Sequence, residues 1–255
     1  MVLKLSHDLS QKQIQEARNS FNENFDKWAV FRNIFKVIRI EDKKNNETED
    51  FVTIGFNHIM KRDWFSNYTG STYYDHVSLG MTRGKSVALG ESRYILNLIN
   101  NVVSKLEISL QVQREDIIKS ICRKIQNEQK SRLAILANPT IISLFLNEEQ
   151  FKLTSEVSIW GYYYDVPVMW SPEVEKGSVY IINRNAGQIV IKEDRMFKVS
   201  ELDVSEYNQI LSEIDSLTLA DLPLSVRVTA KETIKFSLDP NQPLIVHKIV
   251  YYSEK

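Results

Sequence analysis

WAVFRNIFKVIRI (residues 28–40), EDKKNNETED (41–50) and FVTIGFNHI (51–59) follow one another without a break. The outer runs are mostly apolar and rich in β-branched and aromatic residues, and the middle run is charged or polar throughout. Two β-prone runs around a hydrophilic joint predict a long β-hairpin. At about 3.3 Å per residue, a ten-residue arm reaches roughly 30 Å. Val30, Ile34 and Ile38 fall on one face, and Phe31, Phe35 and Val37 on the other, so both faces are greasy. An isolated two-stranded ribbon is marginal in water, and an exposed apolar one invites pairing with another chain. The ribbon is therefore expected to lie on its own domain or on a sister subunit. Phe31, Ile34, Phe35, Ile38, Val52, Ile54 and Phe56 are the expected contact residues, and the charged tip keeps the far end wet.

Upstream, Leu9, Ile14, Ala17, Phe21 and Phe25 mark a narrow apolar stripe, so residues 6–27 read as an exposed amphipathic helix capped by Asp8 or Ser10. Downstream, residues 61–90 carry Gly70, Gly80, Gly84 and Gly90 and read as a loop. Residues 91–106 place Ile95, Leu98, Ile99, Val102, Val103 and Leu106 at helical spacing, and 106–112 alternate like a short strand. Residues 113–137 read as a second helix, on the spacing of Ile117, Ile118, Ile121, Cys122, Ile125, Leu133 and Leu136. It would be roughly 38 Å long, and Pro139 in ANPT would end it. After the break come a short helix (141–146) and the apolar run 157–172. Two strands follow about an Asn-Ala-Gly turn (176–194), then a helix (204–217) and two closing strands joined by a Pro-rich turn at 239–243.

The composition is globular: 255 residues, 43% hydrophobic and 25% charged, enough to bury a substantial core. A net charge of −1 argues against a chain that coats nucleic acid all over. The charge is unevenly spread, however. Residues 1–137 hold 21 Lys and Arg against 16 Asp and Glu (+5), and residues 138–255 hold 11 against 17 (−6). The single cysteine, Cys122, excludes an intrachain disulfide and sits on an apolar stripe, as a packed thiol does. No run of about 18 apolar residues occurs, so no membrane span is expected, and the N-terminus lacks the apolar core of a signal peptide.

Chemistry-bearing patterns are few. GMTRGKS, Gly80 to Ser86, resembles a phosphate-binding loop but has three residues between its first two glycines where the working pattern has four. His7, His58, His76 and His247 are far apart and show no metal-ligand spacing. The acidic pairs Glu148-Glu149 and Glu193-Asp194 read as solvated charge. Trp160, Tyr162, Tyr163, Tyr164 and Trp170 suggest core and subunit-contact packing ahead of a stacking platform for bases or sugars, because few basic residues interleave with them. No catalytic, cofactor or metal residue is assigned.

The order of elements is the strongest signal. YDVPVMWSPEVEKGSVYIIN (164–183) and LPLSVRVTAKETIKFSLDPNQPLIVHKIV (222–250), placed after an N-terminal helix, a long hairpin and a long helix, resemble the major capsid proteins of tailed viruses and the related encapsulin shells, the Hong Kong phage capsid fold. The resemblance implies an α+β fold of four parts: an N-terminal helical arm (1–27), an extension loop (28–60), a peripheral domain (61–137 and 222–255) with 113–137 as its spine helix, and an inserted axial domain (138–221). It implies a structural protein, not an enzyme, that needs no cofactor and contacts no membrane. Many copies would self-assemble into an icosahedral capsid or virus-like particle around non-specifically held DNA, located in the virion and built in the host cytoplasm. An encapsulin-like compartment around a cargo protein is the alternative, and a nucleotide-binding enzyme built on Gly80 to Ser86 is a remote one. In the shell reading the more basic half faces nucleic acid, and the hairpin overreaches because its burial lies on a neighbour.

Overall fold

The computed structural model describes residues 26–41, 51–61, 71–106, 109–192, 198–201 and 225–251. Residues 6–25 of the expected helix at 6–27, the expected helix at 204–217 and the hairpin tip at 42–50 lie outside these residues; 26–28 are helical. In chain order the strands and α-helices are β1 (Lys36–Ile40), β2 (Val52–Lys61), α1 (Ser71–Leu106), β3 (Ser109–Val112), α2 (Ile117–Gln126), β4 (Leu133–Ala137) and α3 (Pro139–Phe145). They continue with β5 (Phe151–Leu153), β6 (Gly161–Tyr163), β7 (Val166–Trp170), β8 (Ser178–Asn183), β9 (Gly187–Lys192), β10 (Lys198–Glu201), β11 (Ser225–Leu238) and β12 (Val246–Tyr251). The chain forms two compact units, one of Met1–Phe25, Thr53–Val87 and Glu193–Thr233, the other of Asp26–Val52, Ala88–Lys192 and Ile234–Lys255.

The larger unit is built on a mixed seven-stranded sheet of order β3-β12-β8-β4-β7-β6-β5. β4 pairs in parallel with β7, and β12 in parallel with β3; the other pairs are antiparallel. Both faces are covered, so the central strands are apolar without alternation: LAILA in β4 is buried at every position. One face packs Leu133, Ile135, Val168, Val179 and Ile181 against Ile117, Ile121 and Ile125 of α2 and Phe145 of α3. On the other, Tyr180 donates a 2.6 Å hydrogen bond to Asn100 Oδ1 of α1. Helix α1 turns Ile95, Ile99 and Val103 inward at four-residue spacing, all buried. A second ladder in this unit joins β1 to β9 in parallel, Ile38 opposite Val190, with the end of β11 beside β9.

In the smaller unit β2 pairs with β11, and β10 runs antiparallel to β11 with Val199 opposite Val228. Thr53 Oγ1 and Thr233 Oγ1 lie 3.5 Å apart.

Four sequence expectations are corrected. Residues 28–35 are not a strand. Val30–Asn33 is a 3-10 turn, and Val30, Phe31, Ile34 and Phe35 are all buried. Their spacing suits a helical turn as well as an alternating strand, and packing on the larger unit's core decides between the two. The arms of the expected hairpin take β9 and β11 as ladder partners instead of each other. The long helix is α1, 36 residues and roughly 54 Å, where a glycine-rich loop was expected; Gly80, Gly84 and Gly90 lie within it. Residues 113–137 are not one helix: α2 ends at Gln126, Lys130–Arg132 is a 3-10 turn, and Leu133–Ala137 is the buried strand β4. ANPT therefore starts a helix instead of ending one. Asn138 caps α3 by accepting from Thr140 N at 3.0 Å, and Pro139 takes the first-turn position where its missing N–H costs nothing. The expected boundary between residues 137 and 138 consequently falls at the end of β4, inside the seven-stranded sheet.

Candidate assembly surfaces

Phe31, Ile34 and Phe35 find their burial inside this chain. Phe31 stacks on Phe35 at 5.9 Å, and Phe35 meets Phe236 at 4.9 Å. The Ile34 carbonyl accepts from Asn185 N at 2.9 Å. Arg32, between these residues, bonds Glu91 of α1 through Nη2 at 2.7 Å and Nε at 3.2 Å; the two side chains are 8% and 1% exposed. This buried, bidentate pair ties the 3-10 turn to the helix. Of the seven expected contact residues, Ile38, Val52 and Ile54 remain half-buried, and the side chain of Phe56 lies outside the described residues. Beside them, Ile40 is exposed on β1, which ends its ladder.

Other apolar side chains exposed to water sit at the margins of the seven-stranded sheet. Leu146, Leu153 and Val157 follow the β5 edge at 55%, 66% and 62% exposure, and Leu110 is exposed on β3, the opposite edge. An edge strand with exposed apolar side chains is a template for association. The sequence did not single these residues out. Leu153 and Val157 lie in a stretch with no clear period, and only the sheet order shows that β5 is terminal.

The aromatic cluster is packing. Phe145 meets Tyr163 edge-on at 5.3 Å, Phe151 stacks on Trp160 at 4.6 Å, and Trp28 meets Trp170 edge-on at 5.2 Å. Burial, with Glu148 nearby, pushes the Tyr163 hydroxyl well above the ordinary phenol range. Burial also raises Tyr180, against the opposing effect of Lys248. Both are phenols packed into a core, Tyr163 donating to Glu148 Oε2 at 3.4 Å and Tyr180 to Asn100 Oδ1 at 2.6 Å. GMTRGKS has no loop to offer a phosphate: its backbone N–H groups run in the interior of α1, where the helical ladder uses them. Cys122 is half-buried against the α2–sheet core, as its stripe position predicted.

No protein-family model matches the sequence, and no curated protein matches it. Solved structures do match. A virus-like particle from Pyrococcus furiosus is similar at 12% identity and a TM-score of 0.52, over 91% of this chain and 98% of that one. Structures from the Mycobacterium phages Adephagia and Cain are similar at 7% identity and TM-scores of 0.54, each over 89% of this chain and 91% of theirs. The α+β architecture is that of the Hong Kong phage capsid fold.

Proposed function

We propose that this chain, which has the Hong Kong phage capsid fold, is a structural shell protein whose copies self-assemble into a closed icosahedral particle. The observation that carries the reading is the extent of the likeness to a virus-like particle subunit: it spans nearly the whole of both chains. A partial match would indicate only a shared sheet; this one covers 91% of this chain and 98% of the other. The apolar side chains left on β1 and β5 support the reading, because a subunit that works alone has no use for them.

Within this reading the extension loop starts at β1, not at Trp28, because residues 28–35 are committed to the core. Its part in assembly falls to Ile38, Val52 and Ile54 and to the charged tip. Contacts between copies are heterologous around the ring axes and symmetric across the two-folds, as closure of an icosahedral shell requires. The particle encloses nucleic acid and is found in the virion or virus-like particle, assembled in the host cytoplasm. The protein has no catalytic role.

Purified protein is expected to elute at megadalton size and to give uniform round particles in negative stain. A monomer at high concentration overturns the proposal. Nuclease-protected DNA inside the particles supports the capsid reading, whereas a co-purifying protein in their place supports a cargo compartment. Deleting residues 42–49 and closing the turn is expected to leave a folded subunit that assembles poorly.

A further inference from the structure

At one end of the seven-stranded sheet lies a cleft of about 710 Å3 between the Lys130–Arg132 turn, the β8–β9 turn and the segment leading into β12. Its walls are tied together. Arg184 N donates to the Arg132 carbonyl at 2.6 Å, Asn183 Nδ2 donates to the Pro243 carbonyl at 3.0 Å, and Ile245 N donates to Asn183 Oδ1 at 2.7 Å. Arg132 and Arg184 both line it. Among the described residues neither guanidinium has a carboxylate partner, and Arg184 Nε is sealed from water with no acceptor. The one acidic residue in the lining, Glu128, is engaged by His247 Nε2 at 2.7 Å. Arg132 is exposed and Arg184 half-buried, and the natural complement of two guanidinium groups lining one cleft is an oxyanion.

The same end of the sheet carries the opposite charge three strands away. Leu133 of β4 pairs with Asn183, and the register then runs through Ile135↔Val168, Val166↔Tyr163 and Tyr163↔Phe151. The 146–150 turn and the Tyr164–Asp165 turn therefore emerge at the end where the cleft opens, about 14 Å to its side. Glu149 and Asp165 are exposed there, and neither has an ion-pair partner among the described residues. Exposed Leu146 flanks them.

We infer that the Arg132–Arg184 cleft of one copy receives the Glu149–Asp165 rim of the next, in a head-to-tail contact between sheet ends. This deepens the shell reading and rests on it. A two-fold axis lying along the cleft–rim line would set cleft against cleft and rim against rim, with like charges opposed. Head-to-tail pairing joins unlike charges at every contact and propagates around an axis, and such an interface closes into a ring.

The test compares four full-length chains by light scattering and negative stain at about 100 mM salt, where charge pairs are only partly screened. Arg132→Glu/Arg184→Glu opposes acid to acid, and Glu149→Lys/Asp165→Asn opposes base to base; Asn is chosen because residue 165 has a φ of 66°. Each pair is expected to leave the circular dichroism unchanged and to lower particle yield by about tenfold or more. The combined variant, with both charges exchanged, is expected to assemble to within about threefold of wild type. If either half-exchange assembles as wild type does, or the combined chain fails to recover, the inference is overturned. Should a half-exchange not fold, Arg184→Gln replaces it: unchanged yield overturns the inference, and a lower yield sustains it. A wild-type chain that forms no particles overturns the shell reading instead, and this contact with it.

Discussion

Replacing Glu91 by Gln tests the ion pair that pins the 3-10 turn to α1. The carboxylate is 1% exposed and faces an Arg32 side chain that is 8% exposed, with contacts at 2.7, 3.2 and 3.3 Å. At an effective dielectric of about 20, two charges at this separation attract by roughly 5 kcal/mol, before the desolvation that folding already exacted from both. Removing one partner leaves the other charge buried, which costs about 3–5 kcal/mol. Two features point to the lower end. Gln keeps the shape and one acceptor, and Arg32 retains Asp26, whose 57%-exposed carboxylate is 3.5 Å from Nη1. The expected loss is therefore about 3 kcal/mol, nearly insensitive to salt because the pair is shielded from solvent ions. Urea unfolding followed by tryptophan fluorescence measures it, over a concentration series that separates subunit stability from assembly. The double replacement Arg32→Met/Glu91→Leu removes both charges and is expected to lie within about 1 kcal/mol of wild type. A cost below about 1 kcal/mol for Glu91→Gln, or a double variant no better than the single, would refute the argument that uncompensated burial sets the penalty.

Three further outcomes are expected. Gly161→Ala would place a methyl group against the Phe151 ring and 2.7 Å from the Lys152 carbonyl oxygen, so thermal unfolding should show a loss of about 1–3 kcal/mol with the β5 edge detached first in hydrogen exchange. Asn138→Ala removes the cap on Thr140 N and leaves the Val174 carbonyl without the 2.6 Å donor it has in the fold, for a loss of about 2 kcal/mol by urea titration. Alkaline pH should destabilise the fold. Tyr163 and Tyr180 are raised above the ordinary value of 10.0, so the folded state holds protons that the unfolded chain releases, and stability falls as pH climbs past about 10. Ultraviolet titration that shows these phenols ionising at the free-tyrosine value in the folded protein would contradict this.

The fold class was legible in the sequence, and the order and local conformation of the elements were less so. The fold class followed from the run of textures and from the two long stretches at 164–183 and 222–250. The long helix was misplaced because Gly80, Gly84 and Gly90 read as loop punctuation, although each costs only about 1 kcal/mol within a long helix. LAILA was read as helix because an apolar run of five has no period of its own, and only its neighbours β7 and β8 make it a strand. The seven contact residues were chosen by greasiness alone. Burial then claimed Phe31, Ile34 and Phe35 for the core, since a strand and a helical turn share those positions. Leu153 and Val157, and the arginine cleft, had no signal to find: each depends on which strand ends the sheet and on which loops meet at one end of it.

The position of β12 has a consequence for how the subunit is made. It lies between β3 and β8, so the strand drawn from residues 246–251 fills a gap in a sheet whose other members were all translated earlier. Until it arrives, β3 has no neighbour, β8 shows an open flank, and Val246 and Ile249 are missing from the interior. During synthesis a nascent chain therefore waits, incomplete, while β3 to β11 are already outside the ribosome. This late closure acts as a timer: the finished body, and the edges it offers to other copies, exist only once residues 246–251 have left the ribosome.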